Sequence, residues 1–180
     1  MPDKDEEYYN PKDPSASNSH WLPWLQKQLM VNDIKADTPE APYSFRPEWD
    51  LWVKEAERFE ITPETSLIGH SCGGGFWIRY LSEHPEIFVD KVVLVAPWIN
   101  VNHEFDLTFF DFEIDPGIVS RANKFVIFVS DNDDIEVTNS INFLKEKIPE
   151  AGFVEFHNYG HFCYEDMKTN EFPELLKELV

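Results

Sequence analysis

Basic side chains are scarce in this 180-residue chain, where 15 Lys and Arg face 34 Asp and Glu, for a formal charge of −19. Such a surface repels phosphate backbones and anionic lipid, which argues against nucleic acid and membrane surfaces as partners. Cysteine is nearly absent: Cys72 and Cys163 are the only two, too few for a disulfide scaffold. Long apolar runs are missing as well. Val92–Trp98 is among the longest, far short of the ~20 residues that cross a bilayer. The opening Met-Pro-Asp-Lys-Asp-Glu-Glu has no basic stretch followed by an apolar segment, so it does not read as a secretory leader. A soluble, cytoplasmic protein is the expectation.

What the chain does have is apolar bulk. Hydrophobic residues make up 42% and aromatics 15%, including 15 Phe and 6 Trp, which is too much for a disordered chain and enough for a real core. Residues 1–19 are polar and turn-rich and read as an N-terminal arm or loop, leaving 20–180 as a single domain. Ser17, Asn18 and Ser19 are candidate N-caps for a helix carrying Trp21, Trp24, Leu25 and Leu29 at helical spacing. Ile34–Asp37 is a candidate short strand. Trp49, Trp52, Val53, Ala56 and Phe59 predict a second amphipathic helix.

Ser66-Leu67-Ile68 leads into a glycine cluster, and Phe76–Leu81 continues with helical character. Lys91–Ala96 and Phe125–Val129 are β-branched or aromatic runs typical of strands buried on both faces. Val137, Ile141, Leu144 and Ile148 mark a helix face, Phe153–Phe156 a last strand, and Phe172, Leu175, Leu176 and Leu179 a C-terminal helix. Strands alternating with helices imply a three-layer, doubly wound, mostly parallel α/β sheet.

The chemistry concentrates at Gly69-His70-Ser71-Cys72-Gly73, which fits G-x-S-x-G. A serine held on a tight strand-to-helix turn needs small residues two before and two after it. Here a strand precedes and a helix follows, so Ser71 is the candidate nucleophile. A serine hydroxyl needs a general base steadied by a carboxylate, and in this architecture the order is Ser, then Asp or Glu, then His. Asn158-Tyr159-Gly160-His161-Phe162 follows the last strand and supplies His161. Ser130-Asp131-Asn132-Asp133-Asp134 follows the strand before it. Asp134 is preferred as the acid, because Val137 three residues later would dock the next helix and fix the carboxylate. Asp133 and then Asp131 are the alternatives, and the spare aspartates are expected to cap that helix.

These motifs, with His20-Trp21-Leu22-Pro23-Trp24 and Ala96-Pro97-Trp98, resemble the retinoblastoma-binding protein 9 serine-hydrolase family of small α/β-hydrolases over most of the chain. The resemblance implies an α/β-hydrolase fold and a metal-free, cofactor-free cytosolic enzyme acting on small esters or amides. It also implies one oxyanion donor at the backbone N–H of Cys72. The second donor normally comes from a loop after an apolar first strand ending in His-Gly. That strand is not found here, so the chain start is expected to be truncated or misassigned. The alternative is a hydrolase-fold protein that has lost activity and serves as an interaction module, and a protein partner is left open.

Two His-x-Cys steps, at His70 and Cys72 and at His161 and Cys163, use zinc-type ligands. Successive side chains diverge as the nucleophile turns into its helix, so small thiols beside the serine are the preferred reading. Phe105–Asp115 is aromatic and acidic and is either a lid or a core-packing insertion. Trp98, Phe109 and Phe110 are the candidate substrate-lining residues.

Overall fold

The computed structural model describes Ser15 and residues 18–103 and 108–180. Most of the expected polar arm, Ser17, and residues 105–107 of the aromatic segment lie outside the described residues. The chain divides into two compact units, one of residues 60–167 and one of the residues up to Phe59 together with Lys168–Val180.

The larger unit holds a sheet of four strands, β1 (Ser66–His70), β2 (Val89–Val95), β3 (Ala122–Ser130) and β4 (Gly152–Phe156). Every pairing is parallel, and the order β1-β2-β3-β4 advances without reversal. Such pairs need crossovers, here α3 (Cys72–Glu83) after β1 and α4 (Ile135–Lys147) after β3. Between β2 and β3 the described chain makes two short 3₁₀ turns, Thr108–Phe110 and Pro116–Arg121.

Burial explains the apolar runs. Val92 to Val95 are fully inaccessible and Phe125 to Val129 nearly so, because a parallel strand inside a sheet is covered on both faces. β4 is the more exposed edge. The α4 stripe of Val137, Ile141 and Leu144, with Ile148 just beyond, is buried as its spacing requires.

At the other edge, β1 pairs only with β2 among the described residues. Its end turns the peptide groups of Ser71 toward β2, where the N–H reaches Val95 O at 3.0 Å and the carbonyl accepts Trp98 N–H at 3.0 Å. By alternation Ile68 faces the open side, and the indole Nε1 of Trp77 donates to its carbonyl at 3.1 Å.

The smaller unit contains α1 (Leu22–Val31), α2 (Trp49–Ala56) and α6 (Pro173–Leu179). Leu25 and Leu29 bury the inner face of α1, and Trp21 meets Phe172 edge-on with ring centroids 5.7 Å apart. The expected serine or asparagine cap is not used. Trp21 occupies the N-cap position without a side-chain bond, and Pro23, which has no N–H, removes one donor that would need a cap. Ile34–Asp37 is not a strand. No ladder partner lies beside it among the described residues, and its Ala36 carbonyl instead accepts the amide of Gln26 at 3.0 Å. No helix among the described residues is long and apolar enough to cross a membrane.

Candidate active site

Ser71 follows the last residue of β1 and precedes the first of α3, with φ 55° and ψ −122°. A non-glycine residue in that region is strained by roughly 1–3 kcal/mol and persists only where its surroundings enforce it. The enforcement is steric. A Cβ on Gly69 would stand 2.5 Å from the Gly73 carbonyl oxygen and 2.7 Å from Gly74 N, so the turn closes only with glycine there. Gly74 and Gly75 then donate to Ser71 O at 2.9 and 3.2 Å and start the helix.

His161 comes from the loop after β4. Its Nε2 lies 2.9 Å from Ser71 Oγ and its Nδ1 lies 3.0 Å from Asp133 Oδ1. The imidazole's carboxylate partner is therefore Asp133 and not Asp134. Asp133 buries its side chain to 3% exposure, whereas Asp134 is exposed at the N-cap position of α4. The docking argument from Val137 fails because Val137 is indeed buried, yet the chain has turned outward by Asp134. Nor does Asp134 cap α4 with its side chain. Asp133 Oδ1 also accepts Asp134 N–H at 2.7 Å, while Oδ2 is buried without a partner among the described residues. A carboxylate oxygen accepts, so the bond to Asp133 places a hydrogen on His161 Nδ1.

The other polar residues of the β3 loop hold the histidine loop's backbone instead of capping α4. Asp131 Oδ1 accepts Asn158 N–H at 2.9 Å, Ser130 Oγ accepts Tyr159 N–H at 3.1 Å, and Asn132 Oδ1 accepts Gly160 N–H at 2.8 Å. Asp166, on the short helix α5 (Tyr164–Met167), takes the next, His161 N–H, at 2.9 Å. Four consecutive amides are thus satisfied by side chains. The loop needs this support, since Asn158, Gly160 and Phe162 have φ of 61°, 51° and 57°.

Gly160 has a second constraint, because a Cβ there would stand 2.3 Å from Asp166 Cγ. Gly160→Ala is expected to lose about 1–3 kcal/mol of stability, read as a lower urea midpoint at unchanged slope.

Beside the Asp133–His161 pair lies a second, exposed one, His157 Nδ1 on Asp131 Oδ2 at 2.7 Å. The Asn158 N–H and then His157 hold the Asp131 carboxyl below its ordinary 3.8, and Asp131 raises His157 above 6.5. Asp131's share of stability is in place above 3.8 and fades as pH falls through its lowered value. His157's share is in place below 6.5 and fades as pH rises through its raised value, so the pair is complete between the two. An NMR titration is expected to place His157 above 6.5, and Asp131→Asn should return it toward that value.

Cys72 is buried, which pushes its thiol up to about 12. Burial likewise raises Cys163 to about 11, and both cysteines are free thiols. The Cys72 N–H is the first of α3 and so has no partner within the helix.

The candidate lining residues sit differently. Phe109 and Phe110 are buried, with Phe109 6.3 Å from Phe76 and Phe110 4.8 Å from Trp98, centroid to centroid. Arg79 of α3 donates to the carbonyls of Thr108 and Phe109 at 3.0 and 2.8 Å, pinning the segment inward. These two phenylalanines pack the interior, because α3 offers the ring of Phe76 and the half-buried guanidinium of Arg79 to receive them. Trp98 is half-buried and borders a cleft with Asn100, Glu136 and Asn139.

YdeN of Bacillus subtilis (strain 168), described provisionally as a hydrolase, is 26% identical over 166 residues, covering 87% of this chain and 85% of its own. The crystal structure of the B. subtilis ydeN gene product superposes with a TM-score of 0.77 at 22% identity, over 92% of this chain and 91% of that one. A YdeN-like hydrolase from Pectobacterium atrosepticum gives 0.63 at 20% identity, over 90% and 81%. With such neighbours and its parallel sheet, the chain has the α/β-hydrolase fold. A family model described as serine hydrolase matches residues 13–179, and the chain belongs to that family.

Proposed function

We propose that this chain cleaves small carboxylic esters or amides through an acyl-enzyme on Ser71. The observation that carries the reading is the relay from Ser71 Oγ to His161 Nε2 at 2.9 Å and from His161 Nδ1 to Asp133 Oδ1 at 3.0 Å. Membership of the serine hydrolase family supports it. Within that family the resemblance to the retinoblastoma-binding protein 9 group favours small ester and amide substrates, and a cytosolic, metal-free enzyme.

In this reading Ser71 Oγ attacks the acyl carbon while His161 Nε2 takes its proton. Asp133 keeps the imidazole in the Nδ1–H form and stabilises the imidazolium. The Cys72 N–H, at the positive end of α3, faces the developing oxyanion. His161 passes the proton to the leaving group. Water then attacks the acyl-enzyme, giving its proton to His161, and the acid departs as Ser71 regains its hydrogen. The half-buried Trp98 is the lining residue this reading retains, since its N–H already anchors the Ser71 carbonyl. Labelling of the purified chain by a fluorophosphonate probe tests the proposal directly, because only an activated serine reacts.

A second reading has one observation in its favour. Among the described residues no strand pairs with β1 on its open side, where the resembled family places the strand leading to its second oxyanion donor. Losing one donor costs roughly 3–4 kcal/mol of transition-state stabilisation. Well-folded protein that takes no label would favour this impaired, interaction-module reading.

A further inference from the structure

We propose that His70, the residue before the nucleophile, is a positioning residue for His161. The inference rests on the reading of His161 as the general base. Two contacts carry it. His70 Nε2 lies 2.8 Å from the His161 carbonyl oxygen, and the two imidazole rings pack with centroids 4.9 Å apart at 39°. A carbonyl only accepts, so the proton of His70 sits on Nε2 and the bond has one sense.

The strain in the loop gives this contact its importance. Three residues between Asn158 and Phe162 have left-handed backbones, a conformation that unsupported chain does not keep. The amides of residues 158 to 161 are held by side chains, so the peptide preceding His161 is fixed by Asp166. The peptide that follows it is held at its N–H by Tyr159 O, 2.9 Å from Phe162 N, and at its carbonyl by His70 at 2.8 Å, with the Cys163 thiol a longer second donor at 3.7 Å. With both planes set, the direction of the His161 Cα–Cβ bond is set too, and the His70 ring against the imidazole limits its remaining rotation. The result is an Nε2 that arrives 2.9 Å from Ser71 Oγ. His70 and Ser71 are adjacent in sequence, so the nucleophile and the support for its base move as one body.

Three variants separate the contacts. His70→Phe keeps a ring and removes the donor, His70→Ala removes both, and His70→Gln keeps an N–H donor without the ring. With p-nitrophenyl acetate, His70→Phe and His70→Ala are expected to lower kcat roughly ten- to a hundredfold, with KM within about twofold, as misplacement of a catalytic group does. His70→Gln should recover most of the loss, and fluorophosphonate labelling rates should fall and recover in step. Thermal midpoints are measured alongside, so that kcat is referred to folded protein. His70→Phe and His70→Ala at wild-type kcat would overturn the inference, as would a Gln variant no better than Ala. An inactive and unlabelled wild type would overturn the hydrolase reading itself, and this inference with it.

Discussion

Asp133→Asn is expected to lower kcat about ten-thousandfold, whereas Asp134→Asn stays within about twofold of wild type. The two residues are neighbours of identical chemistry, and only Asp133 reaches the imidazole. An asparagine amide at that position can donate to Nδ1, which holds His161 in the tautomer whose Nε2 carries the hydrogen. That nitrogen then has no lone pair for the Ser71 proton, and the base is lost with the geometry intact. Asp134, exposed at the start of α4, loses only a charge near a helix N-terminus, a term of about 0.3–1 kcal/mol in stability. Steady-state kinetics with p-nitrophenyl acetate on both variants decides the matter. A large loss in Asp134→Asn with Asp133→Asn near wild type would move the acid.

Ser71→Ala is expected to remove turnover by a factor on the order of a million and to abolish fluorophosphonate labelling. His161→Ala should abolish labelling as well, because Ser71 without its base is an ordinary alcohol. The comparison with Ser71→Gly adds a check on the backbone. Glycine accepts φ 55°, ψ −122° with no Cβ penalty, so Ser71→Gly should be as inactive as Ser71→Ala yet melt at a higher temperature. Residual labelling in Ser71→Ala would point to another nucleophile and sink the assignment.

The strained turn that carries Ser71 was legible in the sequence because its requirement is steric and local. A Cβ on Gly69 would stand 2.5 Å from the Gly73 carbonyl oxygen, so that position admits only glycine, whereas a Cβ on Gly73 would meet open space. His161 was legible from chain order, since each loop after a strand end delivers its residue to the same edge of a parallel sheet. The acid was not. Asp131, Asp133 and Asp134 differ only in where a short loop turns, and one residue of register separates a carboxylate on the imidazole from one in solvent. The strands of the core could be read from their unbroken apolar runs, while Ile34–Asp37 misled because four residues of pattern say nothing about a neighbouring strand. Phe109 and Phe110 were ambiguous for a related reason. Aromatic residues suit a pocket wall and a packed interior equally, and what settles their place is the ring of Phe76 and the guanidinium of Arg79 on a helix thirty residues earlier.

The β3 loop works like a comb whose teeth, Ser130, Asp131, Asn132 and Asp133, engage Tyr159, Asn158, Gly160 and the ring of His161. A comb cannot be shifted by one tooth without losing every engagement together. Insertions and deletions in residues 130–133 should therefore be tolerated far less than in ordinary surface loops. A designer grafting this relay onto another parallel sheet would have to transplant 130–133 and 158–161 as a single matched part, because either segment alone carries only half of the lock.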